Sequence, residues 1–263
     1  MRILVCVKHV PDTTEVRFDP ATQELRVRQA PTKINNYDEN AMEAAVVLRQ
    51  ALKAEVVVGC VGPSEAAKTV KEAVAMGADR GVLVTGPWVG ELDAAGTASV
   101  IAGLARSEGP FDLVLAGDVS EDGYHSLVPG LVATALSVPF VRGVSALDSD
   151  SGGDLVSVER QVDGAVESYS VTLPAVLSVS TALNTPRTVT KLQVMKVPMS
   201  KVATRSAADV GVDEARLTPD AAATRLVGVR PAATPRSNEV VTGEPDDVVA
   251  QIIARLEQAG VLA

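Results

Sequence analysis

Short, unbroken apolar runs recur through the first half of this chain, and a segment of helical periodicity follows each of them. Residues 3–7 (ILVCV), 55–61 (EVVVGCV), 81–85 (GVLVT) and 113–116 (LVLA) are such runs. A strand that is apolar on both faces has to be covered on both faces, which is the condition of a parallel sheet wrapped by helices. Between the runs, Ala41, Ala44, Ala45, Leu48 and Leu52 form one helical stripe, with Asp38 or Asn36 as N-cap. Ser64 is placed to cap a second helix that runs to about Met76 and stops at Gly77, and residues 93–106 read as a third. Residues 139–144 make a fifth strand. The alternation predicts an α/β fold, a mostly parallel sheet with helices on both faces.

Two additions interrupt that rhythm. Residues 16–27 carry period-two stretches (EVRFD, ELRVRQ) split by PATQ, and predict an exposed β-hairpin before the first helix. Residues 154–180 hold two alternating runs joined by Asp163-Gly164, a hairpin signal. After Pro174 the apolar AVLSVS re-enters the sheet. From 181 to about 236 regular patterning is lost. Pro186, Pro198, Pro219, Pro231 and Pro235 punctuate this part, and Arg187, Lys191, Lys196, Lys201 and Arg205 make it basic. So long a stretch lies against something else or works as a functional loop. Residues 244–260 form a short amphipathic helix, acidic at its start. The expected division is therefore an α/β domain over 1–185 and an extended arm over 186–263.

Charge and composition narrow the function. With 24 basic and 33 acidic residues the chain carries −9, which argues against nucleic acid as the partner. Residues are 46% hydrophobic but only 3% aromatic, so Val, Ala and Leu must build the core. Cys6 and Cys60 sit in apolar runs without CxxC or Cys/His spacing, as buried small hydrophobes rather than metal ligands or a disulfide. The start MRILVCVKHV lacks the marks of a signal peptide, and no apolar run reaches the roughly 18 residues of a membrane span. A cytoplasmic protein without membrane insertion is expected.

Chemistry concentrates in residues 111–130, FDLVLAGDVSEDGYHSLVPG. A buried strand leads into a small polar turn with Gly117, Ser120, Asp122 and Gly123, and then a helix begins. Unpartnered N–H groups at a helix start favour an anion, and glycine permits close approach. The local pattern fits a phosphate-binding turn and an ordinary βα turn equally. His9 and His125 are the only histidines; no nucleophile elbow, HExxH, lysine-bearing P-loop or GxGxxG appears. In parallel α/β sheets ligands sit outside the carboxyl ends of the strands. Residues 6–9, 35–38, 61–63 and 117–128 would converge there, as expected for a nucleotide cleft.

Several segments resemble the β subunit of electron-transfer flavoproteins. They are ILVCVKHVPDTTEVRFD, INNYDENAMEAA, VGPSEAAKTVKEAVAMGADRGVLV, VERQVDGAVESYSVTLPAVLSVSTALNTPR and VMKVPMSKV with DVGVD. AMGAD and LPAVLSV…LNTPR are the most specific. The resemblance runs through nearly the whole chain. It implies the doubly wound, adenine-nucleotide-binding type of fold and an electron carrier rather than an enzyme. It further implies a heterodimer with an α subunit that holds most of the FAD. Electrons pass from flavin dehydrogenases, such as those acting on acyl-CoA, to a quinone oxidoreductase or similar acceptor. The β subunit buries a structural AMP, replaced by a second FAD in electron-bifurcating relatives that use NADH; a nucleotide-binding adaptor without redox work is the third possibility.

Carried over by position, the nucleotide contacts fall on Cys6, Asn35, Asn36, Tyr37, Asp38 and Val61. The rest fall on the loop of Gly117, Asp118, Val119, Ser120, Asp122, Gly123, Tyr124, His125, Ser126, Leu127 and Val128. Asp12 and Thr13 would face the α-subunit flavin. Partner recognition, through a protruding leucine in relatives, falls on Lys191, Leu192 and Met195. The loop itself departs from its relatives, which read GKQAIDGDTAQVGP or GKQAIDDDCNQTG. Asp118 stands where they have Lys, and His125, Ser126 and Leu127 replace the usual polar donors. Asn36 replaces a usual proline. Asp118 and Glu121 put negative charge where a phosphate is expected, which weakens anion binding unless they point away.

Overall fold

One sheet organises the molecule, and its strand order reverses beside the first strand. The computed structural model describes residues 1–19, 21–22, 24–149, 154–228 and 238–262, in two compact units, Met1–Val229 and Arg230–Ala263. The first unit opens with β1 (Arg2–Cys6), β2 (His9–Pro11), β3 (Phe18–Asp19), β4 (Glu24–Leu25) and β5 (Thr32–Ile34). Then α1 (Asn36–Leu52), β6 (Glu55–Val61), α2 (Ala67–Met76), β7 (Arg80–Val84), α3 (Ala94–Glu108), β8 (Leu113–Gly117) and α4 (Val128–Leu136) alternate. They are followed by β9 (Phe140–Ser149), β10 (Leu155–Val162), β11 (Ala165–Thr172), β12 (Ala175–Val179), α5 (Lys191–Lys196) and β13 (Val202–Arg205). The second unit contains α6 (Pro245–Gln258).

The sheet order is β11-β10-β9-β12-β8-β1-β6-β7-β13. From β9 through β13 every neighbour pair is parallel, while β10 runs antiparallel to β9 and β11. β1 lies between β6 and β8, with Leu4 opposite Val57 and Val114. Alternate residues of β1 serve opposite faces, as strand geometry requires. Ile3 and Val5 pack with α1 and α2, and Leu4 and Cys6 with α3 and α4. The chain moves outward through α1, β6, α2 and β7, and α3 then carries it back to β8 on the other flank of β1. The crevice at the carboxyl ends of β1 and β8 is thus the topological switch point of the sheet, where ligands of such folds bind.

The short hairpin of β3 and β4, the Asp163-Gly164 hairpin and the return of β12 to the sheet follow the expected pattern. Other elements differ. α1 has Asn35 as N-cap residue, without a side-chain cap bond. Ser64 does not cap α2 either; it opens a single 3-10 turn, and its hydroxyl bonds Glu65. The unpatterned part from 181 onward holds a short helix, α5, and an added parallel edge strand, β13. Pro231 and Pro235 lie outside the described residues.

Candidate functional site

Asp38 is 5% exposed, in the first turn of α1. One carboxylate oxygen accepts the Lys8 N–H at 2.7 Å and the other accepts the Gly117 N–H at 2.9 Å. A single side chain therefore ties together the ends of β1 and β8. Burial pushes its carboxyl up to about 7, against the pull of those two N–H groups, Asn35 and Lys8. Gly117 permits the contact by having no side chain. A Cβ there would lie 2.4 Å from the Asp38 Oδ1 and 2.6 Å from the Tyr37 Cβ. Asn35, also buried, donates from Nδ2 to the Val119 carbonyl at 2.9 Å and accepts the Glu121 N–H at 3.0 Å.

The loop between β8 and α4 is acidic, and each carboxylate meets a cation from a different element. Asp118 pairs with Arg142 of β9 at 3.1 Å and accepts the Ser178 hydroxyl at 2.8 Å. Glu121 pairs with Lys33 of β5 at 3.2 Å and accepts from Asn36 Nδ2 at 2.9 Å. Asp122 pairs with Lys8 at 2.7 Å. Burial raises the Asp122 carboxyl, but Lys8, the Ser120 hydroxyl and a backbone N–H together hold the group below its ordinary value. Lys33, Arg142 and Ser178 are absent from the sequence-derived set, and Lys8 enters it only as part of the converging 6–9 segment. Three carboxylates within five residues of loop were the signal that nearby cations had to exist.

Tyr37 and Tyr124 meet edge to face, with their hydroxyls 3.1 Å apart, at the mouth of the crevice. The bond to Tyr124 raises the Tyr37 hydroxyl to about 12. Tyr124 and Ser126 both adopt left-handed backbone, φ 55° and 56°, a strained state for residues with side chains. Ser126 donates to the Asp118 carbonyl at 2.6 Å. α4 starts without a side-chain cap among the described residues, and Pro129 lies in its first turn. Leu127 and His125 are exposed and Val128 is partly buried. Cys6 ends β1, where burial pushes its thiol up, and Val61 ends the neighbouring β6. The sequence-derived cleft residues thus share one sheet edge. His9 turns away from it: its Nδ1 is 2.7 Å from the hydroxyl of buried Thr69 on α2.

The expected recognition residues lie on α5. Thr190 and Gln193 cap that turn reciprocally, and Leu192 and Met195 project from it 61% and 74% exposed. The preceding segment is fastened to α1. Asn40 and Asn184 exchange bonds at 2.8 and 3.0 Å, and Arg187 grips Glu43 at 2.7 and 2.9 Å. Asp12 accepts from Thr14 in an exposed turn beside Thr13. A depression of about 550 Å³ between Pro63 and Gly90, at the ends of β6 and β7, takes in Pro63 of the expected 61–63 segment and no residue of the other three cleft segments. Among the described residues no acidic, His or Cys group has metal-binding geometry, and no helix is long and apolar enough to cross a membrane.

Residues 25–210 match the model of the electron transfer flavoprotein domain. The chain is also similar to the electron transfer flavoprotein subunit beta of Thermoanaerobacterium thermosaccharolyticum, 32% identical over 263 residues and covering 100% of both chains. Domain and full-length similarity agree with a parallel sheet whose switch point gathers the predicted residues, and the chain belongs to the electron transfer flavoprotein family.

Proposed function

We propose that the chain is the β subunit of a heterodimeric electron transfer flavoprotein and that it holds a structural AMP where β1 and β8 diverge. The observation that carries this reading is the clustering of Asn35, Asp38 and the 117–128 loop at the switch point, cross-linked through the Asp38 carboxylate. The residues suit a nucleotide. The start of α4 offers amides without a side-chain cap, the loop carboxylates are matched by Lys8, Lys33 and Arg142, and Cys6 and Val61 supply an apolar floor. AMP has no redox chemistry, and its role is to order the crevice. The redox group is FAD, held mainly by the α subunit, and it supplies the electron-carrying chemistry when bound. This chain contributes positioning and docking, with no acid–base or covalent step of its own.

In this reading Leu192 and Met195 anchor flavin dehydrogenases of the acyl-CoA class, and a quinone oxidoreductase receives the electrons. Exposed apolar side chains ringed by basic residues favour such a hot spot. Residues 186–263 form the arm that meets the α subunit, and α6 brings exposed Val249, Ile252, Ile253 and Leu256 to it. Co-expression with the α subunit, followed by an absorption spectrum and nucleotide extraction, tests the proposal. One FAD and one AMP per heterodimer is the expected result. Two FAD would make it a bifurcating protein instead, and a colourless complex or a chain that is stable alone would contradict the assignment.

A further inference from the structure

We propose that Asp93 fixes the point at which the last part of the arm leaves the first unit, and that this preset root strengthens the arm's hold on the α subunit. The inference rests on the heterodimer reading above and deepens it by naming the residue that positions the arm. From β13 onward the chain runs back along α3. The Val210 carbonyl packs against Gly103, where an added Cβ would lie 2.5 Å from its oxygen. Ala207, Val210 and Leu217 are buried in the cluster that includes Ile101 and Leu104 of α3. The route ends at Asp93, the N-cap residue of that helix.

Asp93 divides its two oxygens between two tasks. Oδ1 accepts the Gly96 N–H at 2.8 Å and caps α3. Oδ2 accepts the Ala223 N–H at 2.8 Å and the Thr224 N–H at 3.1 Å. The Gly96 N–H first, with those of Thr224 and Ala223, outweighs burial and draws the carboxyl below its ordinary value, so an ionised group serves both tasks. Just past this clip Leu226 and Val227 stand 76% and 94% exposed. With the clip open, the nearest upstream residue buried against α3 is Leu217, and residues 218–224 join the loose segment. A chain held at its root gives up less conformational freedom on docking than one loosened seven residues earlier.

Asp93→Asn separates the two tasks. Asparagine caps a helix as well as aspartate does, but its Nδ2 is a donor and cannot accept the Ala223 and Thr224 N–H groups. Thr224→Pro removes one of those donors from the other side, leaves the cap untouched, and carries the test should the asparagine variant fail to fold. Hydrogen exchange on the purified heterodimers reads the clip at the amides of 223 and 224 and the cap in α3. Sedimentation on serial dilution reads the subunit dissociation constant. Asp93→Asn is expected to speed exchange at 223–224, leave α3 as protected as in the parent, and raise the dissociation constant roughly fivefold to tenfold. Thr224→Pro acts in the same direction, and the double variant loses no more than Asp93→Asn alone. Unchanged exchange at 223–224, or faster exchange with an unchanged dissociation constant, overturns the role of Asp93. A weaker heterodimer whose α3 amides have lost protection assigns Asp93 to the helix alone and overturns it too. If the parent chain forms no complex with the α subunit, the heterodimer reading falls and this inference with it.

Discussion

The Asp38 carboxylate on α1 accepts the Gly117 backbone N–H at the end of β8 at 2.9 Å, and its second oxygen holds Lys8 beyond β1. The helix start is thereby locked to both strands that flank the switch point. Burial keeps this carboxyl protonated up to about pH 7, whereas an ordinary aspartate ionises near 3.8. Between those values the native state binds the extra proton. The contribution of Asp38 to stability therefore falls as pH rises from about 4 to about 7 and is level above that. Asp38→Asn removes this slope. Thermal melts of both proteins at about pH 5 and about pH 8 should show the parent losing stability relative to the variant at the higher pH, and a constant difference would refute the assignment.

Asn184 fastens the segment before α5 to α1 through its paired bonds with Asn40, which is 3% exposed. Truncation to Ala leaves the Asn40 carbonyl without the Asn184 Nδ2 donor and removes the Oδ1 acceptor, at a cost of about 1–3 kcal/mol. Asn184→Ala should shift the urea midpoint accordingly with an unchanged slope.

If Leu192 is the docking anchor proposed above, its substitution separates partner docking from folding. Because it projects from a locally capped turn, Leu192→Ala should leave stability within about 0.5 kcal/mol of the parent. Electron transfer from a partner dehydrogenase should fall about tenfold or more, as for loss of a hot-spot anchor. Steady-state reduction of the heterodimer by that dehydrogenase reads the second effect. A loss of melting temperature with full electron transfer would assign Leu192 to packing.

The parallel sheet was readable from sequence because a doubly covered strand must be apolar throughout, as residues 3–7 and 113–116 are. Asp163-Gly164 was readable because both residues adopt left-handed backbone, φ 47° and 82°, as a tight hairpin requires. Asp38 was misread as a cap. Its spacing before an apolar stripe fits one, but its acceptor role depends on N–H groups 30 and 79 residues away. β13 is four residues long with no alternation, and only pairing with β7 makes it a strand. The cleft segments, with Lys8 among them, were legible from the convergence of strand ends and their individual contacts from family resemblance, while Lys33 and Arg142 lie in β5 and β9, where no local pattern marks them.

The central claim, that the crevice between β1 and β8 is where the nucleotide binds, is tested by Gly117→Ala. An added Cβ would lie 2.4 Å from the Asp38 Oδ1 and 2.9 Å from the Tyr37 carbonyl carbon, so it must push the start of α1 away from the loop, a strain of about 1–3 kcal/mol. Nucleotide is extracted from parent and variant heterodimers purified side by side. The parent should yield one AMP per heterodimer and the variant should lose the AMP while keeping the FAD; equal AMP in both would place the nucleotide elsewhere and contradict the account.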